Sequence, residues 1–165
     1  AMTFAETGHL CMATLHANSA DQAIERIINF FPQERRMQLL MDISMNLRAC
    51  ISQRLLAAKN SSGRVPAIEI LLNTPLVAEL IFKGEITKLK SLMAASQALG
   101  MQTFDQSLFA LISNNIVTIE DGLRHADSLN DLRLKLKLEA NTDLTEGTEG
   151  WTVANHTPAG MVSRS

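Results

Sequence analysis

The most informative segment of this chain reads Ala5-Glu6-Thr7-Gly8-His9-Leu10-Cys11-Met12-Ala13-Thr14-Leu15-His16-Ala17-Asn18. A turn signal at Thr7-Gly8 precedes a short apolar run that has a histidine at each end. The run 10–15 has the length of a buried strand in a parallel sheet, although periodicity alone does not separate such a strand from a helix segment. We predict a strand that begins at His9 and ends at His16.

The two histidines would then lie at opposite ends of the predicted strand. In open α/β sheets, ligands bind outside the carboxyl ends of the strands, so His16 is a candidate for ligand binding. A shared metal site is disfavoured, because seven extended residues separate the imidazoles by roughly 20 Å. The sequence also has no H-E-x-x-H or C-x-x-C pattern. The alternative, in which both histidines only cap a core strand through backbone hydrogen bonds, stays open.

The composition indicates a single globular domain without a nucleic-acid or membrane-spanning function. The chain has 165 residues, is 46% hydrophobic and carries a formal charge of −2, which argues against a nucleic-acid footprint. No apolar run approaches the roughly 18 residues of a membrane span. We expect Cys11 and Cys50 to be reduced core cysteines of a cytosolic protein.

The sequence lacks the phosphate-binding loop G-x-x-x-x-G-K-[ST], and no acidic strand end that would hold magnesium is recognised. Its first residue is not Met, and it begins abruptly in the helix-like stretch 1–6. We therefore expect the chain to be the C-terminal piece of a longer protein.

Periodicity and turn signals predict a mixed α/β order of elements. Strands over 50–56 and 65–72 form a β-hairpin in which Arg54 could face Glu69, and Pro66 indicates an edge position. Leu129–Leu138 alternates apolar and basic residues, so helix and strand both remain open there. Residues 141–165 are expected to form a disordered tail. Helices are expected over 1–6, 20–31, 33–48 and 85–98, in a stretch capped by Thr103 and in one opened by Thr118. A further helix is expected to begin at the signature Asn73-Thr74-Pro75, with the proline at the first helical position, and to end near Lys83-Gly84.

The sequence AETGHLCMATLHANSADQAIERIINFFP, which starts at Ala5, resembles the histidine box and following helix of the secretion-superfamily hexameric ATPases. The later runs ISQRLL, EILLNTP, LGMQTFDQSL and NDLRLKLKLE are similar to the type IV pilus retraction ATPases of the PilT/PilU family, and among them to the PilU-type paralogue. The resemblance covers about residues 1–139.

This resemblance implies a fold and a domain organisation. The fold class is α/β: the C-terminal part of a three-layer RecA-like P-loop ATPase core, followed by a small helical domain. The core would occupy residues 1–72 with the histidine box and the hairpin. The helical domain would occupy residues 73–140, and the tail residues 141–165.

The resemblance also implies a function: an ATP-driven motor subunit for type IV pilus retraction and twitching motility. The cofactors would be ATP and Mg²⁺, bound mainly by parts of the parent protein that this chain lacks. The expected assembly is a homo-hexamer that works with a partner retraction ATPase and an inner-membrane pilus platform protein. Its location would be cytoplasmic and peripheral at the inner membrane.

The residues carried over from the family are His16 and His9 as catalytic, nucleotide-responsive residues and Thr14 as a cofactor-binding residue. An imidazole can donate or accept a hydrogen bond, or balance phosphate charge near neutral pH. Phosphoryl transfer depends mainly on positioning and electrostatics, so such a residue can matter without forming a covalent bond. No metal ligand is expected in this chain, and the chain alone is expected not to hydrolyse ATP.

One family motif is absent. Where the main retraction ATPase carries AIRNLIRE after a Thr-Pro, this chain reads LVAELIFK over 76–83, with Ala78 and Phe82 at the two arginine positions. This favours an accessory paralogue that works beside the main motor. Arg26 could contact phosphate across a subunit boundary or could be a solvated or locally paired charge.

One other function is compatible with the sequence, and another is disfavoured by it. The chain could be a non-catalytic assembly module that contributes only interfaces. A histidine-dependent hydrolase is disfavoured, because no nucleophile–base–orienter set is visible.

Overall fold

The computed structural model describes residues 2–60 and 62–139. In chain order the elements are α1 (Met2–Glu6), α2 (Ala20–Asn29), α3 (Arg36–Asn46), β1 (Ala49–Ala57), β2 (Arg64–Leu72), α4 (Pro75–Phe82), α5 (Leu89–Ala95), α6 (Phe104–Ser113), α7 (Ile119–Arg124) and α8 (Leu129–Glu139). Short 3₁₀ turns cover Gln33–Arg35, Ile86–Lys88 and Gln97–Leu99. The order of helices and the hairpin match the sequence prediction within a few residues at each end.

The β-hairpin formed by β1 and β2 contributes residues to both hydrophobic cores of the described structure. Strands β1 and β2 pair antiparallel, with Ala49 opposite Leu72 and Ala57 opposite Arg64. One face of the hairpin packs on α2 and α6 and contributes to two hydrophobic cores. The first core includes residues of α2 to α5, with Leu71 from β2. The second core includes residues of α6 to α8, with Leu56 from β1 and Ala67 from β2. The predicted division at residue 72 stays a prediction.

The helices on the C-terminal side of the hairpin begin where the sequence offers capping groups. Thr74 accepts a hydrogen bond from the Val77 N–H at 3.4 Å and is followed by Pro75 at the first helical position. At α6, Thr103 and Gln106 form a capping box, since each side chain bonds the backbone N–H of the other. Thr118 caps α7 through the N–H of Asp121.

Helix α4 ends in a Schellman motif, which turns the chain sharply into the next element. Gly84 has φ +72° and donates to the Ile81 carbonyl, and Glu85 donates to the Leu80 carbonyl at 2.9 Å. Because a left-handed φ strains most side chains, glycine suits this position.

The alternating leucines of residues 129–138 form a helix. Leu132 and Leu136, four residues apart, are buried in the second core, whereas Leu134 and Leu138 are exposed. A spacing of four places two residues on one helix face, and burial of that face decides between the two predicted possibilities.

The predicted strand over 10–15 is not formed. Residues 9–17 have no regular secondary structure, and Leu10 and Met12 are 82% and 89% exposed. A strand needs a neighbour that accepts and donates its backbone hydrogen bonds. In the described residues, β1 and β2 form a sheet of two strands that pair with each other, and neither pairs with this run. The expected burial of Cys11 is also wrong, since Cys11 is exposed, whereas Cys50 is partly buried.

The predicted tail, 141–165, lies outside the described residues. Within the described part of the chain, no helix has both the length and the apolar character needed to cross a bilayer.

Candidate functional site at the end of the histidine segment

The histidine segment, residues 9–18, connects α1 to α2 and carries all three residues that the sequence proposes for the site. His9 lies at its start, close to α1. The Nδ1 atom of His9 is 3.0 Å from the Thr7 hydroxyl oxygen, and its ring packs edge-on against Phe4 with centroids 5.9 Å apart. His9 is therefore held by local contacts with the end of α1, while the residue itself remains exposed.

His16 lies at the other end, where the chain approaches α2. The Nη1 atom of Arg26 donates to the His16 carbonyl at 2.5 Å, which fixes the backbone of His16 and leaves the residue exposed. Arg26 thus bonds the backbone of the same chain, and its possible contact with phosphate across a subunit boundary stays a prediction. A depression of about 270 Å³ beside His16 is also lined by Asn18, Glu25 and Arg26.

Thr14 is exposed in the irregular part of the segment, and neither Thr14 nor His9 lines the depression beside His16. The structure does not gather the three proposed residues into one pocket. It instead holds the end of the segment and its junction with α2, over residues 16–20, through three side chains of the folded body: Arg26, Arg54 and Glu69.

Glu69 holds the junction of the segment with α2. Its Oε1 atom accepts the N–H of Ala20, the first residue of α2, at 2.7 Å, and Glu69 is only 2% exposed. Ser19 stands at the N-cap, but its hydroxyl donates to the Asp21 carboxylate instead of capping the helix. A carboxylate at a helix N-terminus is favoured by the positive end of the helix dipole.

The environment of Glu69 shifts its acidity. Burial, with a smaller contribution from the Asp127 charge, raises the pKa of the Glu69 carboxyl above its ordinary value of 4.5, although the Ala20 N–H opposes this shift. Burial also raises the pKa of the Cys50 thiol on β1, and the nearby Glu69 carboxylate adds to that rise. Cys50 is thus disfavoured as a thiolate nucleophile.

Arg54 holds the segment two residues earlier, at Asn18. Its Nη2 donates to the Asn18 carbonyl at 3.3 Å and pairs with the Asp127 carboxylate at 2.7 Å, and its Nη1 donates to the His125 carbonyl at 2.6 Å. The guanidinium carbon lies 3.9 Å from the centre of the Phe104 ring. The predicted pairing of Arg54 with Glu69 is therefore wrong.

The hairpin register explains this correction. Arg54 stands opposite Ala67, and Glu69 stands opposite Ser52. Each charged side chain instead finds a partner from an element that packs onto the hairpin. Those partners lie 36 to 73 residues away along the chain, so the hairpin sequence carries no local signal for them.

The carboxylate of Asp127, in the turn between α7 and α8, completes the cluster. Its burial disfavours the ionised form, but hydrogen bonds from Lys90 and Arg54 outweigh that effect and lower the pKa of Asp127 below its ordinary value of 3.8. The backbone N–H groups of Asp127 and Ser128 donate to the Asp105 carboxylate at 2.8 and 3.0 Å. This turn is thereby fixed to the first turn of α6.

No magnesium site is assembled by these residues. Among residues 2–60 and 62–139, no group of three or more His, Cys, Asp or Glu side chains could hold a metal ion. Asp127 and Glu69 are engaged by protein donors. The donor set of the described residues therefore does not fit a resident divalent cation.

Comparisons with known proteins identify the relatives of this chain. Residues 1–77 match the family described as "Type II/IV secretion system protein". The chain is 53% identical, over 97% of its length, to the type IV pilus ATPase PilU of Pseudomonas aeruginosa, of which it covers 43%. It is 40% identical, over 78% of its length, to a twitching motility protein of Neisseria gonorrhoeae, of which it covers 34%.

The fold also matches a solved structure. The pilus retraction motor PilT with bound ADP superposes with a TM-score of 0.72 and 34% identity, covering 81% of this chain and 37% of that protein. The α/β fold class is thereby confirmed. The chain spans less than half the length of these relatives. This chain belongs to the PilT/PilU family of secretion ATPases.

Proposed function

We propose that this chain forms part of an ATP-driven motor subunit for type IV pilus retraction and twitching motility. The observation that carries the proposal is the 53% identity, over 97% of the chain, to a type IV pilus ATPase. ATP, with Mg²⁺, would supply the phosphoryl transfer that drives the motor. Both would be bound mainly by parts of the full-length protein outside this chain, since the sequence has no phosphate-binding loop.

Within this chain, we assign the nucleotide-responsive role to His16, a lesser one to His9, and a cofactor-binding role to Thr14. The His16 backbone is held by Arg26 while its residue stays exposed, an arrangement that suits a side chain meant to meet a ligand or a neighbouring subunit. A neutral imidazole can hydrogen-bond a phosphate oxygen, and an imidazolium can balance its charge. His9, at the far end of the segment, would act separately.

The proposed assembly is a homo-hexamer, located in the cytoplasm and peripheral at the inner membrane. It would work with a partner retraction ATPase and an inner-membrane pilus platform protein. The exposed apolar side chains of the α1–α3 region support contacts with further protein surface, because Met37, Met41 and Met45 form a stripe along α3. The proposed division is a core part over residues 1–72 and a helical domain over residues 73–140.

A non-catalytic assembly module is the second candidate function. The same methionine stripe on α3 favours it, since a chain that contributes only interfaces needs such a surface and no reactive side chain. The separation of His9, Thr14 and His16 in the structure also fits this reading.

Mg²⁺-dependent ATP turnover by the purified full-length protein separates the two functions. The motor proposal predicts turnover that disappears with EDTA, and restoration of twitching when the gene is returned to a deletion strain. A well-folded full-length protein that binds its partners but shows no turnover would overturn the motor proposal and support the assembly module. The 165-residue chain alone should show no turnover in the same assay.

A further inference from the structure

We propose that Arg54 is a positioning residue for the histidine segment, and that the C-terminal helices α6–α8 set the place of Asn18 and His16 through it. The inference rests on the proposed nucleotide role of His16. The contacts that carry it involve the Asn18 backbone, the Arg54 side chain and groups of the C-terminal helices.

The guanidinium of Arg54 contacts two separate parts of the molecule at once. It donates to the Asn18 carbonyl at 3.3 Å on the histidine segment. It also meets the His125 carbonyl at 2.6 Å and the Asp127 carboxylate at 2.7 Å in the turn between α7 and α8. Because the guanidinium is planar and presents its donors in a fixed fork, its orientation toward one acceptor determines its reach to the others.

The surroundings of Arg54 favour a single orientation. The buried ring of Phe104 lies 3.9 Å beneath the guanidinium carbon, a cation–π arrangement. The side chains of Arg54 and Asp127 are only 21% and 13% exposed, so water and salt screen their attraction less than at the surface. Asp105 fixes the backbone of the turn that carries Asp127. The groups that fix the orientation of the Arg54 guanidinium thus belong to the C-terminal helices and the turn between them.

The end of the histidine segment and the first residue of α2 are held at every second residue, 16, 18 and 20. Arg26 bonds the carbonyl of residue 16, Arg54 the carbonyl of residue 18, and Glu69 the N–H of residue 20. Among these three side chains, in the described residues, Arg54 alone also bonds the C-terminal helices. A change in those helices would therefore reach His16 through Asn18, two residues away.

Hydrogen exchange of the full-length protein tests this inference without requiring turnover. The readout is the exchange of a peptide covering residues 17–24, which includes the Ala20 N–H that Glu69 holds. In Arg54→Ala and in Asp127→Asn, exchange there should rise roughly tenfold, the effect of losing one charged hydrogen bond. Asp127 lies 109 residues from Asn18 in sequence, so its effect would have to travel through the structure.

Control variants separate a positioning role of Arg54 from a general loss of packing. Arg124→Ala removes an exposed arginine that pairs only with Glu120 and Asp121 of its own helix among its described ion pairs, and it should exchange like wild type. Peptides over 64–72 in β2 should stay unchanged in every variant. Arg54→Lys keeps the charge but not the fork, so it should resemble Arg54→Ala.

The second readout is the rate of ATP hydrolysis. If the full-length protein hydrolyses ATP, Arg54→Ala should lower kcat at least tenfold while KM changes less than about threefold, since a misplaced His16 affects the reacting state more than binding. Uniform acceleration of exchange across β2 and α6, or unchanged exchange over 17–24 in both variants, would overturn the inference. A wild-type protein without turnover would refute the motor proposal alone, because the exchange measurement does not depend on it.

Discussion

Replacing Glu69 tests the account of how α2 is joined to the histidine segment. Glu69→Ala removes the acceptor of the Ala20 N–H and leaves that donor buried, since Ala20 is fully inaccessible. A hydrogen bond to a charged group contributes about 1.5–3 kcal/mol, so the free energy of opening α2 should fall by about that amount. Glu69→Gln keeps an acceptor oxygen and removes a buried charge, so its cost should be less than half as large.

The stability that Glu69 contributes should depend on pH with a definite sign. Burial raises the pKa of Glu69 in the folded protein above its ordinary value of 4.5, so the folded state binds this proton more tightly than the unfolded state. The stability contributed by this group is therefore fully present below about pH 4.5. It is lost as the pH rises through the raised folded pKa. The difference between wild type and Glu69→Gln should show this loss, because the amide does not titrate.

Native-state hydrogen exchange of the full-length protein, followed over Ala20–Asn29 in increasing urea, measures this opening free energy. The matched control is Glu120→Gln, an exposed glutamate of α7 that should leave α2 unchanged. The reasoning is refuted if Glu69→Gln is as costly as Glu69→Ala at neutral pH, or if neither change alters the opening of α2.

Three further predictions concern packing and association. Thr103→Ala removes one half of the capping box at α6 and should lower the opening free energy of that helix by about 1 kcal/mol in the same exchange experiment; an unchanged value would show that the box is dispensable. Gly122→Ala would place its Cβ 2.4 Å from Cδ1 of Ile112 and should destabilise the α6–α7 contact by about 1–3 kcal/mol. Adding Ile112→Val, which deletes Cδ1, should recover part of that loss, and no recovery would contradict the packing explanation. The isolated 165-residue chain should associate irregularly in sedimentation velocity, because large apolar side chains of the α1–α3 region are exposed, whereas a clean monomer with one cooperative unfolding transition would contradict this.

Sequence reasoning succeeded where the determining groups are neighbours in the chain. The hairpin follows from two apolar runs around a polar turn. No end of either observed strand lies more than one residue from its predicted position. The starts of α4, α6 and α7 follow from Thr74, Thr103 and Thr118, whose capping partners lie three residues further on. These signals are local, so they can be read without knowing the fold.

The predictions that failed concern residues whose partners are distant in the chain. An apolar run such as 10–15 becomes a strand only if other strands pair with it, and its own sequence does not supply them. Arg54 and Glu69 looked like a cross-strand pair because the hairpin was the only context available. Their actual partners, Asp127 and Ala20, are brought to them by the packing of the C-terminal helices and of α2.

The candidate site was predicted in part. The sequence identified His16, and the structure places it at a depression with a fixed backbone. The three side chains that hold the end of the segment could not be assigned to it, because nothing in their local sequence distinguishes them from solvated or locally paired charges. The roles of His16, His9 and Thr14 remain predictions.

ATP turnover by the full-length protein, with His16→Ala beside wild type, tests the central claim most directly. The control is His125→Ala, which removes an imidazole outside the segment and keeps the carbonyl that Arg54 contacts. The account predicts that His16→Ala lowers kcat at least tenfold while nucleotide binding survives and the control turns over normally. Unchanged turnover in His16→Ala would contradict it, and would leave His16 a structural residue.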